Sequence, residues 1–443
     1  MRSEEGFMSQ EKVMNRWLVV IGAVLIQLCL GAIYAWSVFT PKLIKPLAEG
    51  GMYGFSASQA NWIFSVGLLV FSFTIILSGR IMGKTGPRKL AVASAIVLGG
   101  GYVLGGLFGS SFLAQLLFIG IIGGFGIGLG YAVPIAVGVK WFPDKKGMVT
   151  GLAVAGFGFG AMIWVKSAGT WFNLLETLNF FGLGGVQSTF FLYGILFFLM
   201  VFAGSFVMID PPAGWLPAGW TPPEPTATGG SALGMLDFTP GEMMKTYQFF
   251  ILWLTFHFSA IAGLMVIGNI GLFGIDVLKA TGLSVTDAAA ITGTALAFLA
   301  IFNGLGRIVW GTMSDKIGRK TAILLMCALQ SAIMFLFYKM GSIPATLIAG
   351  ACIIGFNFGG NFALFPAAAA DYFGNKNVGL NYGYIFVAYG LAGVVGPQIA
   401  AYFKDAAKGN PDPAIWIKPF TIAAVACLIG AVITALLKPP KKA

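Results

Sequence analysis

The chain has 443 residues, 57% of them hydrophobic and 10% charged, with a mean hydropathy of +0.86 and a net charge of +11. Soluble proteins carry a charged fraction of about a quarter, and one core could not hide this much apolar surface, so an ordinary water-soluble fold is excluded. The basic residues sit at the ends of apolar runs rather than on one face, which excludes nucleic acid as the reason for the charge.

Twelve apolar runs are long enough to cross a bilayer, for which about 17 to 25 residues are needed: 17–40, 58–79, 89–108, 112–139, 148–173, 188–209, 248–275, 287–312, 320–339, 343–370, 378–403 and 415–437. They predict an all-α integral membrane protein of twelve transmembrane helices in a lipid bilayer. The first run lacks a small-residue cleavage site and exceeds signal-peptide length, so it is expected to remain as an anchor. Glycines crowd the fourth and fifth runs, at Gly120, Gly123, Gly124, Gly126, Gly128 and Gly130 and at Gly151, Gly156, Gly158 and Gly160. Small residues let membrane helices approach closely, which explains most of them and is equally compatible with sliding halves. Residues 210–246 are rich in Pro, Gly and Thr and read as a linker between an N-terminal bundle, 15–209, and a C-terminal bundle, 247–438. At its end Thr239, with Glu242 three residues on, predicts a short capped helix.

With the N-terminus placed inside, the inner segments hold eighteen Lys and Arg and the outer segments seven. The positive-inside rule then puts both termini in the cytoplasm; the expected location is a cell membrane, a bacterial or archaeal inner membrane. Lys166 and Arg307 fall within spans.

The halves also repeat. GRIMGKTGPRK begins at Gly79 and GTMSDKIGRK at Gly311; Gly86 and Gly318 are 232 positions apart, as are Pro134 and Pro366. Six spans therefore recur as six, and parallel repeats related about the membrane normal are a known transporter plan.

Arg307 lies in the otherwise uncharged run Ala288–Met313. A guanidinium keeps its proton at accessible pH, so at depth it must face a wet cavity or a counter-anion. At ~1.5 Å per residue it is roughly 10 Å from the inner end of its helix, so snorkelling to water is an equal reading from the residues alone. Asn303, one turn earlier, shares its face and can contact a substrate oxygen, orient the guanidinium, or bond a neighbouring helix. Lys166, near the outer end of span five, either snorkels or acts as an outward-side cation for anions. His257, the sole histidine, is either hydrogen-bonded structure or a group for substrate contact or proton coupling. Tyr34, Tyr131, Tyr384, Tyr389, Asn357 and Asn361 are polar-tipped residues within spans; each alone reads as packing, but two or three are expected to line a site. Cys29, Cys327, Cys352 and Cys427 read as small core residues. With no Cys/His or Asp/Glu cluster, phosphate loop, nucleophile elbow or HExxH, neither a metal, a cofactor nor an enzyme activity is expected.

The loop Gly311–Lys320, with its degenerate earlier copy, resembles the signature of the major facilitator superfamily. The resemblance implies a gating loop at Asp315, Lys316, Gly318 and Arg319, with Gly86 and Arg88 in the first copy. There Gly83 stands where the family usually has Asp, so the Asp latch is not implied for the N-terminal half. Three stretches, RWLVVIGAVLIQLCLGAIYAWSVF at Arg16–Phe39, PPAGWLPAGW at Pro211–Trp220 and FNGLGRIVWGTMSDKIGR at Phe302–Arg319, look like the oxalate:formate antiporter family, whose relatives are the proton-linked monocarboxylate transporters. In that family an Arg of span eight binds the substrate carboxylate, and it maps onto Arg307. The resemblance also implies a cavity lined by spans 1, 4, 10 and 11, which carry the tyrosines and asparagines named above. Two departures matter. The family's second cation, a Lys of span eleven, is replaced by Tyr389, and the Asp that monocarboxylate transporters place one turn before the Arg is Asn303. One cation fewer implies one carboxylate fewer. The expectation is a monomeric alternating-access transporter of small monocarboxylates such as lactate, pyruvate or formate, proton-coupled or exchanging. Oxalate:formate exchange is the alternative. An anion-sensing receptor is the rival outside transport, though residues 1–15 and 438–443 read as too short for an output domain.

Overall fold

In the computed structural model, residues 14–212, 214–221, 237–374, 376–407 and 412–440 are described. Residues 213 and 222–236 of the expected linker lie outside them. Among the described residues twelve helices are long and apolar enough to span a membrane: α1 Trp17–Val38, α2 Ala57–Thr85, α3 Pro87–Phe108, α4 Phe112–Trp141, α5 Gly151–Trp171, α6 Gly185–Ser205, α7 Tyr247–Ala280, α8 Val285–Ile317, α9 Arg319–Met340, α10 Pro344–Phe373, α11 Val378–Ala406 and α12 Pro413–Thr434. They form two six-helix bundles, α1–α6 and α7–α12, joined along two antiparallel seams where α2 packs on α11 and α5 on α8. Several helices outrun the apolar stretches that predicted them. α2 continues to Thr85 and α7 to Ala280, because helix geometry persists into water where hydropathy no longer marks it.

The repeat is visible in the backbone. α3 and α9 both begin just after a glycine of positive φ, Gly86 at 82° and Gly318 at 86°, a conformation other residues adopt only with strain. Pro134 and Pro366 both lie inside their helices. Glycines admit α4 deeply between its neighbours, and there neighbouring side chains bond to its carbonyls. Ser78 donates to the Gly128 carbonyl at 2.7 Å, Ser94 to that of Gly126 at 2.7 Å and Gln27 to that of Tyr131 at 3.0 Å. Polar groups at depth need such partners. α1 is regular to Leu30 and then tightens into 3₁₀ turns over Gly31–Val38, where Gly31 packs so closely on α5 that a Cβ would lie 1.9 Å from the Phe157 carbonyl oxygen. Tyr34 is carried by this tightened segment.

The expected short helix of the linker is present at Pro240–Met243, capped by Thr239 and Glu242. Just before it, Phe238 is buried against Phe373, and its carbonyl accepts from Asn377 and Asn381, both at 3.0 Å.

Candidate functional site

Arg307 projects from α8 into the middle of the molecule and is 6% exposed. Its Nε donates to Asn303 Oδ1 at 3.0 Å and its Nη1 to the Val154 carbonyl of α5 at 3.3 Å, while the guanidinium lies 4.3 Å from the centroid of the Phe362 ring. A cation over a ring face gains from the ring quadrupole but stays charged. Among the described residues no carboxylate pairs with Arg307. Asn303 uses its oxygen on the guanidinium, and its Nδ2 is buried with no partner, as is Asn357 Nδ2.

Four tyrosines join the ring cluster that includes Phe362: Tyr34, Tyr131, Tyr382 and Tyr389. The hydroxyls of Tyr34 and Tyr389 are 2.8 Å apart and join α1 to α11 across the two bundles. Aromatic rings wall this centre, with Phe71 and Phe157 on the N-terminal side and Phe358, Phe362 and Phe386 on the C-terminal side; Tyr34 meets Phe157 at 5.1 Å and Tyr131 meets Phe71 at 5.2 Å. Edge and offset contacts of this kind fix ring orientation.

Other candidates lie elsewhere. Tyr384 is turned away from the cluster and accepts from Arg80 Nη2 at 2.9 Å at the end of the molecule that carries the termini. Asn361 is occupied within the C-terminal bundle, accepting from Ser259 at 2.8 Å and donating to the Phe358 carbonyl at 3.1 Å. His257 stacks on Trp253 at 5.5 Å, and its Nδ1 is 3.1 Å from the Ala388 carbonyl; it touches the residue before Tyr389 but does not reach Arg307. In the loop motif, Arg319 pairs with Asp315 at 2.6 Å and Asp371 at 2.9 Å and also contacts Ser314, tying the ends of α8, α9 and α10 together. Arg88 in the first copy instead lies 5.0 Å over the Phe206 ring. Lys316 and Gly86 flank these turns.

The sequence reading missed Tyr382 and the five phenylalanines. Forty phenylalanines in the chain left no local signal by which to choose five, and Tyr382 is distinguished from Tyr384 only by helix rotation.

The arrangement offers hydrogen-bond donors and one positive charge, enclosed by aromatic faces, at the junction of the two bundles. A site of this kind between two helical bundles is that of a transporter rather than of an enzyme. The chain belongs to the Major Facilitator Superfamily, whose family model matches residues 17–291 and 258–443. It is 30% identical over 385 residues to the uncharacterized MFS-type transporter YhjX of Escherichia coli, covering 86% of each chain. It is 27% identical to the oxalate:formate antiporter of Oxalobacter formigenes, covering 87% of this chain and 84% of the relative. It is 25% identical to the apicoplast pyruvate carrier 1 of Toxoplasma gondii, covering 84% and 81%. The crystal structure of the nucleoside transporter NupG superposes with a TM-score of 0.64 at 14% identity, covering 96% of this chain and 99% of that one, a likeness of fold alone. The protein is a multi-pass membrane transporter of this superfamily.

Proposed function

We propose that the chain carries small monocarboxylates by alternating access, with Arg307 as the group that holds the carboxylate. The observation behind this is a guanidinium inside a membrane span with no acidic partner among the described residues, since a buried cation calls for an anion and an anion that comes and goes is a substrate. The planar fork matches a carboxylate bidentately. Asn303 Nδ2, Asn357 Nδ2 and the hydroxyls of Tyr34, Tyr131 and Tyr389 supply further donors, and the rings suit a small planar body such as pyruvate, lactate or formate. Tyr389 is neutral, so one carboxylate is neutralised and a second is not.

Exchange of one carboxylate for another is the coupling the cluster supports. Among the described residues no carboxyl or imidazole contacts Arg307 to take up a proton, and His257 is engaged with the Ala388 carbonyl. The distribution of Lys and Arg supports a reading with both termini in the cytoplasm.

The test is uptake into proteoliposomes of radiolabelled pyruvate, L-lactate, formate and oxalate, with and without a pH gradient and with and without carboxylate inside. Uptake of a monocarboxylate driven by internal carboxylate is expected. Preference for oxalate over every monocarboxylate would overturn the one-cation reading.

A further inference from the structure

The α5/α8 seam carries a second cation that the site around Arg307 does not use. The two helices run antiparallel, with Ala155 opposite Gly304, Gly158 against the Ala300 carbonyl and Val165 opposite Gly293. Arg307 reaches the Val154 carbonyl near one end of this register. At the other end Lys166 of α5 donates to Thr294 Oγ1 of α8 at 2.7 Å. Twelve residues of α5 separate the two contacts, about 18 Å at helical rise.

Lys166 is partly buried and has a neutral partner. Elsewhere at the same end of the molecule, far from the termini, Lys42 pairs with Glu176 and Lys404 with Asp276; among the described residues no carboxylate pairs with Lys166. Thr294 spends its own proton on the Ala290 carbonyl at 2.9 Å and so only accepts from the ammonium. This end of the seam therefore holds a membrane-span cation whose partner across the bundles is a neutral hydroxyl.

We propose that Lys166 is a second anion site, which takes a small carboxylate at the far mouth of the seam before the anion reaches Arg307. Thr294 belongs to the opposite bundle. When the bundles part at this end, the hydroxyl leaves with α8 and the ammonium stands in a membrane span without its acceptor, a costly arrangement. An arriving carboxylate replaces a neutral acceptor by a charge-assisted bond. Separated by about 18 Å along the helix, the two cations are successive stations, and a small acid cannot bridge them. Lys166 therefore does not make the central site a dicarboxylate clamp. The site rests on the anion-transport reading above.

Its test measures KM separately from each face, in intact cells and in inverted vesicles, with the faces assigned by the accessibility of a C-terminal tag. The probe is whichever of pyruvate, L-lactate, formate and oxalate wild type transports. Lys166→Gln is expected to raise KM from the far face roughly tenfold, the loss of one charge-assisted hydrogen bond, and to leave KM from the termini face within about twofold; Lys166→Arg is expected to stay close to wild type. Thr294→Val removes the brace but keeps the cation and is expected not to raise far-face KM. An unchanged KM for Lys166→Gln at the far face overturns the proposal. So does an equal rise at both faces, or a rise in Thr294→Val matching that of Lys166→Gln, since either marks a brace between bundles. Failure of wild type to transport any of the four acids removes the transport reading and this site together, whereas transport with a silent Lys166 removes this site alone.

Discussion

At the scale of single residues, Arg307 combines three demands that no other side chain meets: a donor to Asn303, a donor to the Val154 carbonyl and a flat face on Phe362. Lysine offers a point charge without the fork, so Arg307→Lys is expected to raise KM by roughly 10²-fold, about 2.7 kcal/mol, and Arg307→Gln to abolish transport while thermal unfolding in detergent stays near wild type. Wild-type KM in both variants would remove Arg307 from the site. The valence argument rests on Tyr389, whose hydroxyl faces Tyr34 at 2.8 Å. Pyruvate should raise the unfolding temperature of wild type more than equimolar oxalate, because a ligand that binds the native state stabilises it by mass action, and Tyr389→Lys should reverse that order. His257→Gln should retain carboxylate exchange and its pH dependence, since the ring is turned to a backbone carbonyl. Loss of gradient-driven uptake with intact exchange would restore His257 as a proton relay. Arg307 and Asn303 were legible in the sequence because a charge inside an apolar run stands out. The aromatic walls were not, because ring against ring is a relation between helices and leaves no mark along one of them. Tyr384 and Asn361 show the same gap: polarity at depth was readable, but the direction each side chain faces was not.

Among the elements, α8 and α10 set the position of the site through glycine. A Cβ on Gly359 of α10 would fall 2.0 Å from the Asn303 carbonyl oxygen, and one on Gly306 of α8 would fall 1.9 Å from that of Phe356. Backbone cannot yield as a flexible side chain can, so Gly359→Ala must push the helices apart just where Asn303 and Arg307 are held. A destabilisation of about 1–3 kcal/mol, as for an overpacked core, is expected in thermal or denaturant unfolding, together with weaker substrate stabilisation. Gly100→Ala in α3, where a Cβ would meet nothing within 4 Å, is the control and should be neutral or slightly stabilising in a helix. Loss in both variants alike would point to glycine in general and away from this contact. The glycine clusters were visible in the sequence, but which ones touch a facing carbonyl depends on helix rotation, which hydropathy does not encode. Helix existence and order followed from apolar run length. Helix ends did not, because α2, α7 and α8 continue past the apolar stretch.

For the whole molecule, the question is which end of the two bundles is shut. The far end is closed by contacts between halves that also involve charge: Asp405, at the end of α11, accepts from the backbone N–H groups of Ala57 and Ser58 at the start of α2, both at 2.8 Å. Nearby, Asn61 donates to Asn269 at 2.9 Å and Gln398 to the Ser58 carbonyl at 3.3 Å. A helix N-terminus carries partial positive charge and exposed donors, so a carboxylate from the opposite bundle is a latch between the halves at this end. The repeat that announced two halves could not announce this latch, because the twofold relation constrains each bundle and leaves the contacts between them free. The motif loops show the same freedom. In the C-terminal half Arg319 is held by Asp315 and Asp371, whereas in the N-terminal half, with Gly83 in place of an acid, Arg88 rests on Phe206. Replacing Asp405 by Asn keeps a hydrogen-bond acceptor but removes the charge that favours the helix terminus, a loss of about 0.3–1 kcal/mol. Hydrogen exchange in Asp405→Asn should therefore quicken at the first turn of α2, around residues 57–60, and leave the amides beneath Arg307 in α8 unchanged. The far mouth would then open more often, and the variant should exchange carboxylate from that face at a changed rate with its Arg307-dependent selectivity intact. Exchange that quickens evenly along α2 and α11 would mean that Asp405 supports the whole seam and does not latch one end of it.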